Sequence, residues 1–184
     1  MTNDEAKALF KKNIQSVEIG THNYCNRTCT FCPLSVEGVN RRKFKNTIFM
    51  KDEMYENIMK QLSEVNFAGR LDFSRYHEPT SHKEYILKKI KIARKYLPLA
   101  KISLNTNSDY INKEYHQQLV DAGVDSFAFQ AYMKNGANKF DEDEVFKRIN
   151  YITDRLGAPR INKEEHKNKE WIIYKLPERF KGKI

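Results

Sequence analysis

The sequence predicts an α/β fold, a partial (βα) TIM-like barrel with a parallel sheet inside and helices outside. Three observations predict it. Short apolar segments alternate with helical ones four times over, which argues a parallel sheet with helical crossovers. Each predicted strand has one apolar and one polar face, whereas a parallel sheet buried on both faces reads as nearly continuous apolar runs. Polar residues also gather where the strands end, the rim on which a βα barrel builds its active site.

The elements follow in order. "SVEIGTH" (16–22) reads as a strand with Val17 and Ile19 on its apolar face. "MKDEMYENIMKQL" (50–62) reads as a helix, with Met54, Ile58 and Leu62 four apart on one side. "GRLDFSRY" (69–76) is a second strand, presenting Leu71 and Phe73. "KEYILKKIKIARKYL" (83–97) is a helix with Ile86, Ile90, Ala93 and Leu97 in line, and Pro98 follows as its stop. "KISLNTN" (101–107) is a third strand, "NKEYHQQLVDAG" (112–123) a helix closed by Gly123, and "DSFAFQAY" (125–132) a fourth strand. "DEDEVFKRINYITDRLG" (141–157) is the clearest helix. Asp141 with Glu144 suits a capping box, Gly157 suits the other end, and Val145, Ile149, Ile152 and Leu156 form its stripe.

Residues 1–13 are expected as an N-terminal extension, 14–157 as the core and 158–184 as a C-terminal extension. "EWIIYKL" (170–176) is a possible last strand. A closed eight-unit barrel takes about 250 residues, so 184 suffice only for a partial one. A chain of this length still buries roughly 70% of its unfolded surface.

Composition narrows the function. Apolar residues make up 40% and charged residues 31%, no apolar run approaches a membrane span, and the polar start "MTNDEAKALFKKN" is not a signal peptide. A cytoplasmic setting without membrane contact is expected. The net charge of +9 suits an acidic partner, but the lysines are spread along helices and equally suit solvated faces. "NRRKFKN" (40–46) is the densest basic loop.

All three cysteines fall within "CNRTCTFC", as Cys25, Cys29 and Cys32. Thiolates so spaced can hold a soft metal centre. A structural zinc site needs a fourth ligand, for which His22 is available; a zinc-stabilised, basic nucleic-acid-binding module is therefore the alternative. An iron–sulfur cluster normally takes four thiolates. With three, one iron stays open to a substrate or cofactor.

Cys-x3-Cys-x2-Cys, with Phe31 just before the last cysteine, resembles the signature of the radical S-adenosylmethionine (radical SAM) enzymes. The resemblance implies a 4Fe–4S cluster on Cys25, Cys29 and Cys32, with S-adenosylmethionine on the open iron. Reductive cleavage then yields methionine and a 5′-deoxyadenosyl radical that abstracts hydrogen from a substrate: a peptide, a nucleotide or a small metabolite. It implies a cofactor site of Phe31, Tyr76, His77, Glu78, Ser103, Asn105, Asn107 and Gln130. "FSRYHEP" stands where the family has a Gly-Gly-Glu-like motif, so Glu78 or nearby backbone carbonyls would receive the methionyl amine. Tyr76-His77 replaces the glycine pair. Asn105 and Asn107 of "NTN" would meet ribose hydroxyls with Ser103 deeper in the lumen, although asparagines here are also good turn formers. Gln130 would add a ribose contact and Tyr132 would face substrate. The family's Gly-x-Ile-x-Gly-like fifth strand is not evident; Arg160 of "APRIN" lies near its place. A single cluster is expected, with an acidic electron donor such as flavodoxin or ferredoxin, and a second copy or partner protein closing the barrel. His116, on a helix, is expected to face solvent.

Overall fold

Segments in which apolar and polar side chains alternate form one sheet, and segments with helical periodicity cover its apolar face. The computed structural model describes residues 1–33, 46–132, 141–160, 162 and 176–184. The elements are α1 (Asn3–Asn13), β1 (Ser16–Ile19), α2 (Asp52–Glu64), β2 (Arg70–Phe73), α3 (Lys83–Tyr96), β3 (Lys101–Thr106), α4 (Lys113–Ala122), β4 (Ser126–Phe129), α5 (Glu142–Leu156) and β5 (Gly182–Lys183).

The sheet has the order β1-β2-β3-β4-β5, with every pair parallel. Consecutive strands are neighbours throughout. Crossovers of one hand then place every helix on the same side, and the sheet winds in one direction, as in part of a TIM barrel. α2 packs on α3, α3 on α4 and α4 on α5. Ile19, Phe73, Leu104 and Phe127 form one cross-sheet row facing these helices. Glu18, Asp72, Ser103 and Ser126 form a row of the opposite face. Asp72 is buried there and accepts bonds from Ser16 Oγ (3.0 Å) and Arg70 Nε (2.6 Å).

The helix ends obey local chemistry. Asp141 caps α5 by accepting from the Glu144 N–H. Gly123 (φ 119°) and Gly157 (φ 67°) end α4 and α5 in the left-handed conformation that costs glycine nothing. Residues 3–13 of the expected extension are a helix opened by a Thr2–Glu5 capping box.

Three expectations are corrected, and a fourth falls outside the described residues. α2 buries Tyr55, Met59 and Leu62, while Met54 is 58% exposed. Both sets are spaced for a helical stripe, and only packing against the sheet chooses between them. His116 is buried, not solvent-facing: its ring lies 4.7 Å from that of Phe127, and its Nε2 is 3.0 Å from the Phe180 carbonyl. "EWIIYKL" lies outside the described residues except for Leu176, which is not in a strand. The fifth strand is Gly182–Lys183, so Gly182-Lys183-Ile184 supplies a Gly-x-Ile run in fifth place. A Cβ on Gly182 would sit 2.7 Å from Phe129 Cε2 and 3.1 Å from the Phe127 carbonyl, so only glycine lets β5 close on β4.

Candidate functional site

The C-terminal ends of β1 to β4 open into one cavity. Cys25, Cys29 and Cys32 line it from the loop after β1, joined by Arg27 and Phe31. Ser74, Arg75, His77 and Glu78 line it after β2, Asn105, Thr106 and Asn107 at the end of β3, and Gln130 and Tyr132 after β4.

Of the expected cofactor residues, the cavity brings together Phe31, His77, Glu78, Asn105, Asn107 and Gln130 with all three cysteines. Phe31 is 60% exposed, with its ring 5.3 Å from that of Tyr132. Tyr76 is exposed and does not line the cavity. Ser103 is buried lower in the sheet, in register with Asp72, and also lies outside the lining. Arg160 forks onto Asp154 at the surface (2.8 and 2.6 Å). Sequence reasoning passed over Arg27 and Arg75, and read Ser74 and Thr106 as polar strand residues without assigning them to the cofactor site. Of the two arginines, Arg27 alone carried a signal, since it stands between two of the clustered cysteines.

Glu78 is the keystone of the rim. Its carboxylate is buried, and Oε1 accepts from the Thr80 N–H (3.0 Å), Thr80 Oγ1 (2.6 Å) and Thr106 Oγ1 (2.7 Å). Oε2 accepts from the Asn107 N–H at 2.7 Å. The Glu78 N–H donates to the Tyr24 carbonyl at 2.8 Å. One residue thus ties the ends of β1, β2 and β3 together. Burial pushes its carboxyl above the usual range, against the pull of these donors.

Asn107 continues the network. Its Nδ2 donates to Asn26 Oδ1 at 2.8 Å and lies 3.9 Å from Cys25 Sγ. Beneath the loop, the buried His22 ring packs edge-on against His77 (4.6 Å between centroids) and His82 (5.1 Å). Burial, with the neighbouring His77 and His82, pushes His22 down to about 3. His22 Nδ1 accepts from the Tyr24 N–H (3.1 Å), and His22 bridges antiparallel to Phe49.

The three cysteines form no disulfide and line one cavity. His22, the expected fourth ligand of a zinc site, lies outside that lining. Three thiols on one cavity, with the polar strand ends beside them, fit a 4Fe–4S cluster with one iron left to another ligand.

The model of the radical SAM superfamily matches residues 19–131, more than half of the chain. The chain belongs to the radical SAM superfamily. This radical SAM chain is 34% identical over 116 residues to the S-adenosyl-L-methionine-dependent 2-deoxy-scyllo-inosamine dehydrogenase of Niallia circulans, covering 63% of the chain and 44% of that protein. Two solved structures are similar at 28% identity. BtrN in complex with AdoMet and 2-DOIA gives a TM-score of 0.57, covering 77% of this chain and 54% of that one. Selenomethionine BtrN in an open conformation gives 0.55, covering 71% and 53%. The chain therefore spans about half the length of these relatives. The superfamily's cofactors are a 4Fe–4S cluster and S-adenosylmethionine, and the parallel sheet with its outer helices is a partial TIM barrel. No described helix is long and apolar enough to cross a membrane.

Proposed function

We propose that this protein abstracts a hydrogen atom from a small polar substrate, with Cys25, Cys29 and Cys32 as the cluster ligands. The observation that carries the proposal is the placement of all three thiols on one cavity with the polar ends of β2, β3 and β4. When bound, the cluster supplies the single electron that splits the S–C5′ bond of S-adenosylmethionine into methionine and a 5′-deoxyadenosyl radical. Every other role belongs to the chain's own groups. The Glu78 carboxylate already accepts four hydrogen bonds, so its task is to hold the rim, and backbone carbonyls beside it receive the methionyl amine. Asn105 and Gln130 offer polar contacts to the ribose, and Phe31 with Tyr132 offers an aromatic wall. The similarity to a dehydrogenase acting on 2-deoxy-scyllo-inosamine supports a polar substrate. An acidic electron donor and a partner closing the open side of the sheet complete the proposal.

The test is anaerobic. Reconstituted protein with dithionite and S-adenosylmethionine is expected to form 5′-deoxyadenosine, and deuterium from the true substrate is expected to appear in it. Replacing any one cysteine by alanine is expected to abolish formation. Colourless protein carrying one zinc and no iron would refute the proposal.

A further inference from the structure

Asp109, in the turn after β3, holds several polar partners from three parts of the chain. Its Oδ2 accepts from Arg27 Nε (2.6 Å) and Asn26 Nδ2 (2.6 Å), and its Oδ1 from Arg27 Nη2 (2.7 Å). Arg148 Nη2, on α5, donates to the same Oδ1 at 2.5 Å and to the Asn107 carbonyl at 2.8 Å. The Asp109 backbone is held as well. Its N–H donates to Asn107 Oδ1 (3.0 Å), and its carbonyl accepts from Arg155 Nη1 (3.0 Å).

Asn26 and Arg27 are the two residues after Cys25, and the Arg27 side chain lines the cavity with the thiols. The Arg27–Asp109 contact is a two-point fork, which fixes the plane of the guanidinium as well as its position. Both partners are largely shielded, at 18% and 21% side-chain exposure, so their charges act in a medium of reduced dielectric. Arg27, Arg148 and Arg155 surround the one carboxylate residue Asp109, and of these the Arg27 guanidinium shares the cavity with the cysteines. The hydrogen bond to Asp109 is the main cause that raises the Arg27 pKa, and the charges of Cys29 and Cys25 add to it, so the guanidinium and the thiolates feel each other.

We propose that Asp109 anchors the cysteine loop and that Arg27 is a positioning residue, held by Asp109 so that its charge raises the reduction potential of the cluster on Cys25, Cys29 and Cys32. The inference rests on the cluster reading above. Reduction adds a negative charge, and a fixed cation nearby stabilises the reduced form. The two charges act with opposite sign, so removing the cation and removing its counter-ion must move the potential in opposite directions. A purely structural network predicts no such opposition.

The experiment is an EPR-monitored redox titration of anaerobically reconstituted protein, after iron analysis of the wild type. Arg27→Gln is expected to lower the ratio of reduced to oxidised cluster about tenfold at fixed poise, about 59 mV for one electron. Asp109→Asn is expected to raise that ratio. Arg27→Lys keeps the charge and loses the fork: its potential stays near the wild type, while amide exchange over residues 25–32 of the cluster-free protein quickens. Shifts of Arg27→Gln and Asp109→Asn in the same direction, or no shift in either with full iron, overturn the proposal. If Arg27→Gln holds no iron, Arg148→Gln decides, because it removes a cation from the same carboxylate without touching the cysteine loop. It is expected to lower the potential, and an unchanged or higher value overturns the proposal. Wild-type protein without iron refutes the cluster reading instead. Amide exchange in Asp109→Asn then judges the anchor alone, and an unchanged rate over residues 25–32 overturns it.

Discussion

Replacing Glu78 by glutamine separates a residue that holds the rim from one that binds the cofactor with its side chain. The two side chains have nearly the same shape, so no cavity opens. The carboxylate accepts from two backbone N–H groups, those of Thr80 and Asn107, through different oxygens. An amide offers one oxygen. Whichever way it turns, its NH2 faces one of those N–H donors, and that buried donor loses its acceptor. The hydroxyls of Thr80 and Thr106, 3.1 Å apart, can rotate to accept, so they do not add to the cost. One unsatisfied buried donor costs about 2 kcal/mol. With a urea slope of roughly 2 kcal/mol/M for a chain of this size, the unfolding midpoint is expected to fall by about 1 M. Glu78→Ala strands both backbone donors and is expected to cost about 4 kcal/mol. The assay is equilibrium urea unfolding of cluster-free protein followed by circular dichroism. If Glu78→Gln unfolds with the wild-type midpoint yet loses S-adenosylmethionine binding, the carboxylate contacts the cofactor and the clamp reasoning is wrong.

Three further outcomes are expected. Acid should weaken the fold through His22. The pKa of His22 is depressed to about 3 when folded, against 6.5 unfolded, so its contribution is complete above pH 6.5 and is lost as pH falls towards 3. At pH 5 the loss is about 2 kcal/mol, and urea midpoints at pH 7.5 and pH 5 check it, with His22→Gln flattening the difference. Lys89 has a fully buried side chain whose Nζ donates to Asp52 Oδ1 (2.9 Å) and the Met50 carbonyl (3.2 Å), over the rings of Tyr55 and Tyr85. Lys89→Met is expected to cost about 2 kcal/mol, and Asp52→Asn more, because it leaves the buried cation without its counter-ion; thermal unfolding ranks the two. Gly182→Ala is expected to push β5 off β4 and cost about 2 kcal/mol, read as faster exchange of the Phe127 amide, which donates to the Lys181 carbonyl at 2.8 Å.

Local sequence carries the strand faces because alternation is local: Leu71/Phe73 and Ile102/Leu104 point to the helices, as their spacing demands. The helix caps at Asp141, Gly123 and Gly157 are legible for the same reason. The choice between Met54 and Tyr55 is not local, since it depends on where α2 lands on the sheet. The burial of His116 depends on a carbonyl 64 residues away, so nothing in "EYHQQ" announces it. The site divides in the same way. The cysteine spacing is compact and chemically unusual, so it can be read. Asp109 reads as one more turn residue in "NTNSDY", because its partners Arg27 and Arg148 come from the loop after β1 and from α5.

Asp109 and Asn107 hold the cysteine loop through Asn26 and Arg27, and the Glu78 N–H holds the Tyr24 carbonyl, with no need of iron in any of these contacts. The thiols therefore wait in a cradle that stands before its cargo arrives. Oxygen that strips the metal should leave that cradle standing, and the same molecule can be refilled. Repeated rounds of aerobic bleaching and anaerobic repair, with thiols kept reduced, should return the brown colour without any refolding step.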